Sequence, residues 1–131
     1  MIKGIKEQVP EVEIGNRSAS PVFSMINKVG HPDGINTIAL ADVLLKESGW
    51  WLCKTMRPSG CHFAISMANC QDSKKFIADV RSAVDKMKAN PKLNHNSDTA
   101  AYGMAVSMPD PIVLEDACKL HSAALLDALG D

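Results

Sequence analysis

Residues 50–67 leave the chain few ways to fold. "WWLCKTM" (50–56) and "CHFAISM" (61–67) read as two strands, and the intervening "RPSG" puts Pro58 and Gly60 in hairpin-turn positions. Successive strand residues point to opposite faces. One of the adjacent Trp50 and Trp51 should therefore face a core, and the other should face out. A hairpin this apolar calls for helices over one side.

The flanking sequence supplies them. Asn36 can cap a helix over Thr37–Ser48, with Ile38, Leu40, Val43, Leu44 and Leu45 as its apolar face and Gly49 as its stop. Asp72 can cap a longer helix running to about Ala89, on which Phe76, Val80, Val84 and Met87 share one face. Asn90-Pro91 ends it, because the residue before a proline avoids helical geometry. Upstream, "IKGIKEQV" (2–9) reads as a short helix ended by Pro10. "EVEIGN" (11–16) alternates Val12 and Ile14 with polar residues, as a half-buried strand does, and "PVFSMINK" (21–28) reads as its neighbour. "RSAS" suits a tight connection, and "GHPDG" (30–34) is dense in turn formers. "KLNHNSD" reads as polar loop. A last helix opens with Asp110 as cap and Pro111 in the first position, has Glu115 and Asp116 near its positive end, and turns Leu114, Ala117, Leu120, Ala124, Leu125 and Ala128 inward.

The expected order is α-β-β-α-β-β-α-α: an α+β fold, a small and mostly antiparallel sheet of about four strands with helices on one face. At 131 residues the chain reads as a single domain, 1–131, long enough to bury roughly two-thirds of its unfolded surface. Its 46% hydrophobic and 22% charged residues argue against disorder. A formal net charge of −1 gives no basic field for nucleic acid or anionic lipid. Asp42, Glu115 and Asp127 interrupt the apolar stretches well short of the about 20 residues a membrane span needs. "MIKGIKEQVP" lacks the apolar core of a secretion signal, so a cytoplasmic protein is expected. The four cysteines, Cys53, Cys61, Cys70 and Cys118, fit no paired zinc pattern. Cys53 and Cys61 could meet across the hairpin in a disulfide; the alternative is four small buried apolar residues.

One stretch fits none of these roles. "DTAAYGMAVSMPDP" (98–111) holds the one tyrosine of the chain, Tyr102, among small residues that let another chain or a ligand come close. "KKFIADVRSAVDKMKANPK" and, nine residues later, "YGMA" resemble the C-terminal part of sphingosine-1-phosphate lyases, pyridoxal-phosphate (PLP) enzymes of the group II decarboxylase-like family. The matching positions are Phe76, Asp79, Val80, Arg81, Ala83 and Val84, then Asn90, Pro91 and Lys92, then Tyr102, Gly103, Met104 and Ala105. "GNRSASPVFSM", "ADVLLKESGWWL" and "RPSGCHFAIS" resemble that family's strand pair, its helix ending in Gly-Trp and its Pro-Pro-Ser-x-His-Phe hairpin. The order holds over about residues 2–129. The chain departs from the family pattern in having Ser97 and Thr99 where glycines precede the tyrosine, and Arg57 ahead of Pro58.

The resemblance implies the small C-terminal domain of a fold-type-I PLP enzyme, packed against a larger cofactor domain, with Tyr102 near the substrate phosphate. It implies no catalysis by this chain alone. PLP needs an aldimine lysine, a carboxylate and a phosphate cradle. The family's lysine follows a histidine, whereas the four histidines here precede Pro32, Phe63, Asn96 and Ser122. No PLP is therefore expected unless a partner chain brings the large domain. Ligand candidates are Tyr102, Lys54, Arg57 and His62; interface candidates are Trp50, Trp51 and Met104. Cys61 and His62 adjoin on one strand and point apart, which excludes them as a Cys–His catalytic pair. Three functions stay open. One is a self-associating structural or interaction module, most simply a homodimer, or a truncated or mobile gene product. Another is a subunit of a split PLP lyase acting on a phosphorylated amine. The last is a small binder of phosphorylated or anionic ligands.

Overall fold

Helix α1 (Ile2–Gln8) ends two residues before Pro10, whose ring cannot extend a helix. There follow β1 (Val12–Ile14), β2 (Val22–Asn27), α2 (Thr37–Ser48), β3 (Cys53–Met56), β4 (Ser59–Ala64) and α3 (Ser73–Ala89). The computed structural model describes residues 1–15, 21–28, 34–56 and 58–95, and Ile112, Asp116, Lys119, Leu120 and Ala123, which are helical. The strands form one antiparallel sheet in the order β1-β2-β4-β3, so β1 and β3 are its edges. Among the described residues this is the expected α+β fold. The rest of the last expected helix lies outside them.

The helices cover one sheet face. Phe23 and Met25 of β2 and Cys61 and Phe63 of β4 share a core with Ile5 of α1, Leu40 and Leu44 of α2, and Phe76, Val80, Val84 and Met87 of α3. Its centre is aromatic. Phe63 stacks on Phe76 with centroids 4.4 Å apart, and Trp50 meets both edge-on at 5.7 and 5.2 Å. Such pairs add about 0.5–1.5 kcal/mol each beyond the area they bury.

Helix α2 is fixed at both ends as its sequence asks. The Asn36 side chain accepts from Ile38 N and Ala39 N at 3.1 and 3.4 Å, and Gly49 closes the helix at φ 73°. Four more bonds tie this end to distant residues. Asn27 Oδ1 accepts from Thr37 N and Thr37 Oγ1 at 2.8 and 2.7 Å. Asn94 accepts two bonds from Asn36, Oδ1 from the backbone N–H at 3.3 Å and O from the side-chain amide at 3.4 Å. Asn94 ends a 3-10 turn, Pro91–Asn94, in a stretch read from sequence as plain loop. Helix α3 also differs. Asp72 occupies the cap position without making a side-chain cap bond. A 3-10 turn, Cys70–Asp72, leads in instead, and Asn69 fastens it by accepting from Ser66 N and donating to Ala64 O.

The hairpin turns more tightly than expected. Met56 pairs with Ser59, so β4 already contains Gly60. Gly60 pairs with Ile26 of β2, and a Cβ there would collide with the Met25 carbonyl oxygen. The glycine thus serves close strand approach rather than the turn. The register also separates the two hairpin cysteines. Cys53 faces His62 and Lys54 faces Cys61, so Cys53 and Cys61 lie on opposite faces and cannot bridge. Cys53, Cys61 and Cys70 are free, and only Cys61 of the three is buried, which corrects the reading of uniformly buried cysteines. Cys118 lies outside the described residues.

Glu11 ties the first helix–strand junction to α3. Its carboxylate is buried, accepts two bonds from Arg81 at 2.8 and 3.1 Å, and accepts one from Lys88 at 2.7 Å. Arg81 also donates to Gln8 O at 3.0 Å. Burial by itself would raise the Glu11 carboxyl, but the bonds from Arg81 and Lys88 outweigh it and hold it at about 2 instead of 4.5.

Two outcomes follow. Gly60→Ala should cost about 1–3 kcal/mol in urea unfolding, from the forced strand shift. The lowered Glu11 carboxyl stabilises the fold above the unfolded value, and that stability is lost as pH falls from 4.5 towards 2. Its full worth is roughly 3 kcal/mol. Glu11→Gln should lose about that much at pH 7, and its unfolding curve should approach wild type near the acid end.

Candidate functional site

Of the sequence-derived candidates within the described residues, Trp51 and Lys54 lie at or beside the β3 edge, Trp50 in the core and His62 on β4. Trp50 and Trp51 divide into one inward and one outward ring as expected, although they precede β3, which starts at Cys53 and not at Trp50. Trp50 packs into the aromatic cluster, while Trp51 is 77% exposed. The Trp50 indole N–H donates to Asp79 Oδ2 at 2.7 Å, and Lys75 Nζ reaches the same oxygen at 2.6 Å. Burial would raise the Asp79 carboxyl, yet the bonds from Lys75 and Trp50 hold it below its ordinary value. The Lys75 ammonium also stands 5.4 Å from the Trp50 ring centroid, a cation–π contact.

Beside the edge lies a half-open recess of about 370 Å³, lined in part by Asp42, Leu45, Trp51, Leu52, Cys53 and Lys54. Leu45 was expected in the apolar face of α2, but it is 50% exposed here. The helix presents more apolar arc than the sheet can cover. Lys54 points to the helix side and pairs with Asp42 Oδ1 at 2.5 Å. His62 stands on the other face, opposite Cys53 and Ser24. The hairpin therefore does not bring Lys54 and His62 to one point. Arg57, Tyr102 and Met104 lie outside the described residues.

Asp42 and Leu45 line the recess beside Lys54, and neither was a site candidate from sequence. Asp42 carried a signal: an acid within an otherwise apolar helical run needs a partner, and Lys54 is the cation opposite it. The recess does not suit PLP. Lys54 and Asp42 already neutralise each other there, and the named lining holds no second cation to cradle a phosphate. Among the described residues no group of three or more His, Cys, Asp or Glu could hold a metal ion, and no helix is long and apolar enough to cross a membrane. Among the described residues β3 pairs with a strand on one side, β4, and Trp51 and Leu45 are exposed beside it.

No protein-family profile matches the sequence. Three curated proteins do. A sphingosine-1-phosphate lyase of Drosophila melanogaster is 37% identical over 120 residues, covering 90% of this chain and 21% of that protein. One of Arabidopsis thaliana is 29% identical over 114 residues, covering 81% and 20%. One of Oryza sativa subsp. japonica is 28% identical over 90 residues, covering 63% and 17%. The chain thus resembles a region of these lyases along most of its own length, and spans about a fifth of theirs.

The two tryptophans should separate cleanly by substitution. Trp50→Ala removes the edge-on contacts and leaves Asp79 without its indole donor, at a cost of about 3 kcal/mol. Trp51→Ala should stay within about 0.5 kcal/mol of wild type. In single-tryptophan variants, iodide should quench Trp51 emission and spare Trp50.

Proposed function

We propose that this chain, similar to one fifth of a sphingosine-1-phosphate lyase, is a non-catalytic association domain that pairs with a second copy of itself. The supporting observation is the β3 edge, beyond which no further strand lies among the described residues, flanked by the exposed Trp51 and Leu45. A second copy would add its own strand along β3, and the two Trp51 indoles would leave water together. The Lys54–Asp42 pair keeps net charge away from that edge, so like charges do not oppose the approach. Catalysis by the chain alone has no support: it lacks a His-Lys pair, and its recess does not suit PLP. A cytoplasmic location agrees with the exposed free thiols of Cys53 and Cys70, which an oxidising compartment would tend to pair.

A second reading is favoured by the partial coverage of the lyases. A separate chain would supply a PLP domain and cover the same edge. The pair would then act on a phosphorylated amine.

Light scattering of the purified chain at tens of micromolar separates the two. A dimer mass is expected for wild type, and a monomer mass for Trp51→Glu combined with Leu45→Lys. A wild-type monomer across the concentration range would overturn self-association. If a partner chain co-purified and lyase activity appeared only on mixing, the second reading would replace the first.

A further inference from the structure

The sheet face turned away from the helices holds a second cluster of reactive side chains. Cys53 of β3 and His62 of β4 are direct cross-strand partners, and Ser24 of β2 stands on the other side of His62. Lys54, next along β3, pairs with Asp42 on the helix side, so Cys53 must project from the opposite face. Cross-strand neighbours hold their Cβ atoms about 4.5–5.5 Å apart. The pairing therefore sets the two side chains next to each other on one face of the sheet. Cys53 is exposed and sits on an edge strand, open to a bulky reagent. His62 is half-buried between its neighbours, which limits its motion.

We propose that Cys53 and His62 form a thiol–imidazole pair that makes Cys53 the site of exchange with low-molecular-weight disulfides. The imidazole takes the thiol proton, and the Cys53 sulfur attacks one sulfur of R–S–S–R. A Cys53–S–S–R bond forms and the R–S–S–R bond breaks. The departing thiolate takes the proton back from His62 and leaves as R–SH. No net oxidation is needed beyond that carried by the disulfide.

The other described cysteines serve as internal comparisons. Cys61 adjoins His62 in β4, yet it lies on the helix side, and burial, reinforced by Asp42 and opposed by Lys54, pushes its thiol up to about 12. It should not react while the fold holds. Cys70 is as open to solvent as Cys53, but its thiol donates to Met67 O at 3.6 Å in the turn before α3. Exposure alone would make Cys53 and Cys70 equivalent; the imidazole distinguishes them.

The test treats the folded chain at pH 7 with 4,4′-dithiodipyridine, then quantifies each cysteine by peptide mass spectrometry. It is run at the dilute end of the light-scattering series, so the outcome does not depend on self-association. Cys53 should react at least about tenfold faster than Cys70, and His62→Gln should bring it down to the Cys70 rate with Cys70 unchanged. Protection of Cys61 in the variant reports that the sheet is intact. Equal rates for Cys53 and Cys70 in wild type overturn the proposal, with no variant required. A Cys53 rate unchanged by His62→Gln, with Cys61 still protected, overturns it as well.

Discussion

The stack of Phe63 on Phe76 holds the two layers together. One ring belongs to the central strand β4 and the other to the first half of α3. Phe23 meets both rings edge-on from β2, and Trp50 meets them from the segment that leaves α2. Four aromatic side chains from four parts of the chain thus share one contact set. Trp50 belongs to that set only because its indole N–H has Asp79 to bond; a buried indole without a partner would carry a penalty of about 1–3 kcal/mol. Lys75 in turn neutralises Asp79. The polar triad therefore lets the aromatic core extend to its own rim.

Glu11 is a second fastening of different character. It sits where α1 hands over to β1, and its two cations both come from α3. Removing one partner of such a group is costly, because the remaining charge stays buried. The aromatic contacts tolerate small shifts, whereas the forked bonds of Arg81 to both carboxylate oxygens do not. The first sets how the layers pack, and the second sets the register in which α1 meets α3.

Local chemistry made much of this legible. Asn36 and Gly49 mark α2 to the residue, because a side-chain cap and a left-handed stop act within one turn. Pro10 and Asn90-Pro91 end helices by sterics alone. The split of Trp50 from Trp51 was legible, although β3 starts beyond them. What escaped depends on distant neighbours. Asn94 looks like loop until Asn36 is placed beside it, 58 residues away. Gly60 looks like a turn glycine until β2 lies against it. The separation of Cys53 from Cys61 turns on where the hairpin begins, and a shift of one residue exchanges the two faces. Leu45 looks like core because periodicity reports the width of an apolar arc and not the width of the sheet beneath it. Of the candidate site only an outward-facing tryptophan was legible; its recess and its Asp42–Lys54 pair needed the packing of α2 against β3.

The two edges of the sheet are not alike. β1 has only three residues, Glu13 stands at its middle, and Lys28 reaches across to Pro10 O beside it. A short strand with an acid at its centre is a poor template for another strand. Among the described residues no such guard stands beside β3. A sheet inviting at both edges would add copies without end and grow into a fibril. With one edge closed, strand-by-strand growth has nowhere to go after the first addition. Under the proposed self-pairing, the same asymmetry that leaves one edge receptive also gives the assembly a built-in stop.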